Sequence, residues 1–148
     1  MKRFWLAIAF AISLAGPALA QTPTIGVSTV QGIPITAMSG NVAAATATAT
    51  LAANSDARKI TYICGFAATS GGATSAAVVN LTVTNVITGT QTYTYGANTG
   101  AGVPTAPLVV QFSPCLPATG PSTTIVVSMP SLGAGNTNAS VNAWGFQR

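Results

Sequence analysis

The chain contains no histidine and no glutamate, and Asp56 is its one acidic side chain. Without histidine there is no Ser-His-Asp or Cys-His nucleophile system, no imidazole metal ligand and no general base of the usual kind. One carboxylate cannot play both parts in glycoside hydrolysis, which ordinarily flanks the bond with two. Nor can it build a calcium or magnesium site, which needs several oxygen ligands and usually more than one carboxylate. Two cysteines without histidine are a poor zinc ligand set, and a cysteine nucleophile would need an activated thiolate that nothing here supplies. A Ser–Lys pair using Lys59 is formally open, but no spacing supports it. These deficits predict a protein that is not an enzyme and carries no metal or cofactor.

Charge of either sign is scarce. Charged residues make up 4% of the 148 positions, against about 25% in ordinary soluble proteins. Two of the five basic residues, Lys2 and Arg3, sit at the extreme N-terminus. The remainder form no cluster able to neutralise a phosphate backbone, so nucleic acid is excluded as a partner. Long apolar runs are also missing beyond the first twenty residues, so no transmembrane helix is expected after them.

Lys2 and Arg3 instead read as the positive start of a secretory signal peptide. The apolar stretch from Phe4 to Ala15 follows, Gly16 and Pro17 break it, and Ala18-Leu19-Ala20 supplies the small residues a signal peptidase requires. Residues 1–20 are therefore assigned to the signal, with cleavage before Gln21 and a periplasmic or extracellular destination. Cleavage lowers the formal net charge from +4 to +2 by removing Lys2 and Arg3. Cys64 and Cys115 then enter an oxidising compartment, where an even count favours a disulfide. Two buried thiols, or a bridge between chains, are the alternatives.

Helix signals are nearly absent after the signal peptide. Short runs rich in Val, Ile, Thr and aromatics, cut by Gly, Pro, Ser and Asn, predict strands at 24–30, 33–38, 42–52, 58–69, 76–87, 90–95, 108–112, 123–129 and 139–147. Pro34 marks the second as an edge strand or a strand start. In 42–52, Thr46, Thr48 and Thr50 alternate with Ala45, Ala47, Ala49 and Leu51. In 58–69, Ile60, Tyr62, Cys64 and Phe66 share one face, assigned to the core. Val79, Leu81 and Val83 alternate with Asn80, Thr82 and Thr84, and Thr88-Gly89 turns that strand into a hairpin. The three prolines of SPCLPATGP forbid regular structure there. Trp144 and Phe146 share a face and are expected in the core. The fold class is all-β: an antiparallel β-sandwich of about eight strands, jelly-roll-like, over 41–148, with 21–40 as an N-terminal arm or short edge strands.

Three groups are candidate contact residues. Asp56, Arg58 and Lys59 hold most of the remaining charge, as a contact patch or, more plainly, a solvated turn. Tyr93 and Tyr95 would stack on carbohydrate if exposed, although core positions fit a chain so poor in aromatics. Thr46, Thr48 and Thr50 form a Thr-x-Thr array of the kind that orders water at an ice surface, or simply an exposed strand face.

The stretches TYICGFAAT, NVITGTQTYTYG, FSPCLPA and ASVNAWGFQ, in this order, resemble a widespread family of small uncharacterised β proteins of bacteriophages, prophages and bacterial genomes. The similarity covers roughly residues 41–148. It implies a β-sandwich serving as a virion-surface or secreted accessory protein, and the contexts of Cys64 and Cys115 match the family pattern. The expected function is an exported, non-catalytic structural or surface-associated protein, able to self-assemble as a homo-oligomer because little like-charge repulsion opposes close packing. A module binding glycans or another surface polymer is the alternative, with ice binding behind it.

Overall fold

The computed structural model describes residues 32–73, 77–98, 100 and 103–148. The expected signal peptide and the expected strand at 24–30 lie outside the described residues. Eight strands follow one another: β1 (Ile33–Met38), β2 (Ala47–Leu51), β3 (Thr61–Gly71), β4 (Ala77–Thr84), β5 (Gln91–Ala97), β6 (Leu108–Pro117), β7 (Ile125–Met129) and β8 (Asn138–Gln147). They form two four-stranded sheets, β1-β8-β3-β6 and β2-β7-β4-β5, and every pairing is antiparallel. The pairs are nested: β4 with β5, β3 with β6, β2 with β7, β1 with β8. No helix occurs among the described residues, and none is long and apolar enough to cross a membrane.

The sheets face each other across a core in which Phe66, Leu51, Ile63, Leu81, Ile125 and Met129 are fully buried. Each such side chain contributes about 1.5–3 kcal/mol relative to exposure. Ala47, Ala49, Ala68 and Ala143 fill the inner faces between them. These small residues let two twisted sheets approach closely, since inner side chains must interdigitate within a layer about 10 Å thick. The β4 alternation is as expected: Leu81 and Val83 are buried and Asn80 is exposed. Thr88-Gly89 lies in the β4–β5 connection, with Gly89 at φ 81° and the Gln91 amide donating to the carbonyls of Thr88 and Gly89.

Several expectations need correction. The second strand begins at Ala47, not at residue 42. Ala44 adopts φ 48° and donates its N–H to the Asn136 carbonyl, which breaks the extended run. Thr46 is thus an exposed residue ahead of the strand. Period-two alternation fails in β3. Its register shifts between Ile63 and Gly65 against both neighbours, so Thr61, Ile63, Phe66 and Ala68 point inward. A β-bulge puts two residues opposite one and turns everything beyond it to the other face. Tyr62 and Cys64 therefore lie on the outer face, half-buried, and Ile60 precedes the strand. Trp144 and Phe146 are corrected likewise: in β8 Ala139, Val141 and Ala143 face the core, and the two aromatics point outward, half-buried.

The proline-rich stretch is also strand. Residues 113–117 continue β6, with a cis peptide at Ser113-Pro114 and Pro117 opposite Tyr62. This is possible because β6 is the edge of its sheet, where a proline need not donate to a ladder. Pro34 obeys the same rule on the opposite edge, β1.

Candidate functional site: the outer faces of the two sheets

At the bulge, Cys64 and Gly65 both face outward. Cys64 is bonded to Cys115 of β6 with a Cα–Cα separation of 4.3 Å, 51 residues apart in sequence. Gly65 stands opposite Trp144 on one side and Gln111 on the other. A Cβ at Gly65 would lie 2.5 Å from Trp144 Cζ2 and 2.8 Å from its Cε2. The indole therefore occupies the space that any other residue at 65 would fill. The missing side chain makes the bed on which the aromatic ring rests.

The outer face of this first sheet can be read in rows across the strands. Toward one end, Pro34, Phe146, Tyr62 and Pro117 stand side by side. Tyr62 and Phe146 stack with ring centroids 4.8 Å apart, and the Arg148 guanidinium lies 4.9 Å from the Tyr62 centroid. Those two rings spend their faces on each other and on Arg148. Next comes Thr36, Trp144, Gly65 and Gln111, then Met38, Asn142, Ala67 and Val109. Met38 and Val109, on the two edge strands, are 73% and 56% exposed. Beyond them Ser140 and Thr69 share a hydroxyl hydrogen bond of 2.7 Å. The Asn41 amide donates to Asn138 Oδ1 at 2.8 Å. Asn41, Thr69, Pro104, Asn138 and Ser140 line a surface depression of about 240 Å³.

The second sheet presents a different outer face. Thr48, Ser128, Thr82 and Thr92 form one continuous row across β2, β7, β4 and β5. Thr50, Val126 and Thr84 make the row on one side, Asn80 and Thr94 the row on the other. Thr48 and Thr50 are exposed as the sequence led one to expect. The other hydroxyls escaped a reading confined to one strand, because the row forms only when four strands align.

The remaining candidates separate. Tyr95 is buried at 4% exposure, its hydroxyl 3.1 Å from Ser70 Oγ across the sandwich. Tyr93 is half-buried against Phe66 and Phe112, and burial raises its phenol pKa above the ordinary value. Both belong to the interior, so neither is a stacking platform. Asp56 closes an Asx turn: its N–H donates to Asn54 Oδ1, and its own carboxylate accepts from the Arg58 N–H. That backbone hydrogen bond, then the Arg58 side chain, holds the Asp56 pKa below the ordinary value. The Asp56–Arg58 ion pair, 3.3 Å long with the arginine 90% exposed, is of a kind worth little in water. This favours the plain reading of a capped, solvated turn.

Arg148 exchanges two backbone hydrogen bonds with Ile60, directly after that turn. Asp56, Arg58, Lys59 and Arg148, all the charged side chains among the described residues, thus gather at one end of the sandwich. Just inside it, the Gln147 amide donates to the Ala52 carbonyl and accepts from Asn54, while Thr61 also bonds Ala52. At the far end the buried Asn136 amide donates to the Gly72 carbonyl, and its Oδ1 has no partner. No group of three or more potential metal ligands occurs among the described residues.

No family model matches the chain, and no curated protein or solved structure matches it either.

Proposed function

We propose that this chain is an exported, non-catalytic, surface-associated or structural module that works through its two broad uncharged faces. One observation carries the reading: among the described residues charge is confined to one end, and hydroxyl, amide and apolar groups cover both outer faces. Such faces approach a surface, or a second copy, without long-range repulsion and without stripping water from ions. The Cys64–Cys115 bridge supports an oxidising destination, periplasmic or extracellular, and the Lys2–Ala20 pattern supports the route. The nested strand order supports a jelly roll. The resemblance to small phage and bacterial β proteins points to the same kind of role, on a cell or particle surface.

The test is salt dependence. Purified chain is mixed with envelope material from the cells that make it and sedimented at low salt and at 1 M salt, while light scattering follows self-association. At 1 M the Debye length is about 3 Å, so contact through neutral faces persists where charge-driven adhesion is lost. A clean monomer that stays in the supernatant at every salt concentration removes the proposal.

A second reading, ice binding, is favoured by the hydroxyl row Thr48–Ser128–Thr82–Thr92. Adjacent strands of such a sheet rotate by about 20–25°, which tilts the row away from a plane, and Val126 interrupts the neighbouring row. Thermal hysteresis abolished by Thr82→Val would establish this reading, and its absence in the unaltered chain would end it.

A further inference from the structure

We infer that the outer face of the first sheet is a binding trough for a neutral polysaccharide chain, running from Trp144 to the depression at Asn41 and Asn138. The inference rests on the contact-module reading above and names the ligand class for one of its faces. Trp144 supplies the stacking surface. Its indole lies against Gly65 while part of the residue remains in solvent, the disposition of an aromatic with one side anchored and the other available. Tyr62 and Phe146 cannot serve, because their rings face each other and Arg148.

From Trp144 to Ser140 the strand advances four residues, roughly 14 Å at 3.4 Å per residue. That length suits a short run of sugar rings better than a single one. Between the two ends lies Asn142, with Met38 and Val109 as exposed apolar walls on the edge strands. The far end offers amides and hydroxyls already held in place, Asn41 to Asn138 and Ser140 to Thr69. Preorganised neutral donors and acceptors beside an apolar surface are what a sugar requires: apolar C–H faces on its ring, hydroxyls at its rim. The trough rows carry no ionised side chain, and the one cation on this face among the described residues, Arg148, is engaged at its opposite end. An anionic polymer would find no counter-charge here, so the occupant is a neutral pyranose polymer.

The purified chain is sedimented with cellulose and with chitin, and with alginate beads as the anionic control, at low and at 1 M salt. Retention on cellulose or chitin, insensitive to salt and absent from alginate, is the expected result. Trp144→Ala should weaken it at least tenfold and Trp144→Phe only partly. The Asn41→Ala/Asn138→Ala pair should weaken it several-fold, and Thr92→Ala on the other sheet should leave it unchanged. Melting curves verify that each variant is folded. No retention on either neutral polymer overturns the trough, as does undiminished retention in folded Trp144→Ala. Where the trough fails by either result, envelope binding that persists at 1 M salt leaves the contact-module reading standing. If all binding vanishes at 1 M salt, both fail.

Discussion

Replacing Gly65 with alanine sets two physical rules against each other. Glycine inside a strand sacrifices backbone entropy and packs nothing, so propensity alone makes the change stabilising by about 0.5–1 kcal/mol. The geometry demands the reverse. The new Cβ would meet the Val110 carbonyl oxygen at 2.5 Å and the Trp144 indole at 2.5 Å. The first is backbone, fixed by the β3–β6 pairing in which Phe66 stands opposite Val110, and cannot retreat cheaply. Overpacking of this sort costs about 1–3 kcal/mol. With the backbone on one side, the upper half of that range is expected even after the propensity gain. At about 4 °C per kcal/mol for a domain between the 100- and 150-residue cases, the melting temperature should fall by roughly 10 °C.

A second readout is independent of stability. Residues 21–148 contain one tryptophan, Trp144, so in a chain that starts at Gln21 all indole emission reports on this ring. Alanine at 65 lifts the indole off the sheet toward water, and the emission maximum moves to longer wavelength. Thermal melts and emission spectra of residues 21–148 and of their Gly65→Ala variant suffice. A variant that melts at or above the parent temperature with an unshifted spectrum would show that the indole does not rest on Gly65, and the trough would lose its platform.

Replacing Cys64 and Cys115 together by alanine should cost about 4 kcal/mol, the loop entropy for a 51-residue separation, measured by urea unfolding. Phe66→Ala should cost about 3–5 kcal/mol and Tyr62→Ala less than half as much. Equal losses would contradict the bulge that sends one inward and the other outward. The raised Tyr93 pKa means that the folded state favours the neutral phenol. The stability it confers is complete below pH 10, the ordinary value, and is lost as pH climbs through the folded pKa. A melt series from pH 8 to 12 should therefore show an alkaline decline that Tyr93→Phe reduces. Asp56 has the opposite sign: its lowered pKa stabilises above the ordinary carboxylate range and ceases to do so as pH falls through its folded value. Lying at the surface beside solvent, it should leave only a faint acid dependence, absent in Asp56→Asn. N-terminal sequencing of secreted material should begin at Gln21, and retention of Met1 would refute the signal assignment.

Strand content and the two-layer architecture were legible because period-two alternation is a local signal. Leu81 and Val83 against Asn80, and Ala47, Ala49 and Leu51 against Thr48 and Thr50, identify an inner and an outer face with no knowledge of partners. Prolines misled at 113–117 because their exclusion applies to paired strand positions, and whether a strand lies at an edge is a property of the whole sheet. The hydroxyl row was hidden for the same reason: Thr48 and Thr92 are 44 positions apart, and their alignment depends on which strands pair.

In β3 the face assignment failed at one residue, and the consequences spread from there. Tyr-Ile-Cys-Gly-Phe has an apolar or aromatic residue at nearly every position, so strict alternation places Tyr62, Cys64 and Phe66 together. One extra residue at Cys64-Gly65 keeps Phe66 in the core and sends Tyr62 and Cys64 outside. It brings Cys64 to Cys115 and leaves Gly65 as a gap in the outer surface into which Trp144 settles. The bulge, the disulfide and the aromatic platform are thus one structural event. Bulges recur where a protein must re-aim a side chain, and departures from local rules tend to collect at working surfaces. The glycine between a cysteine and a phenylalanine was the available signal: a residue with no side chain to pack, set among apolar neighbours inside a strand, marks a place where something else must come close.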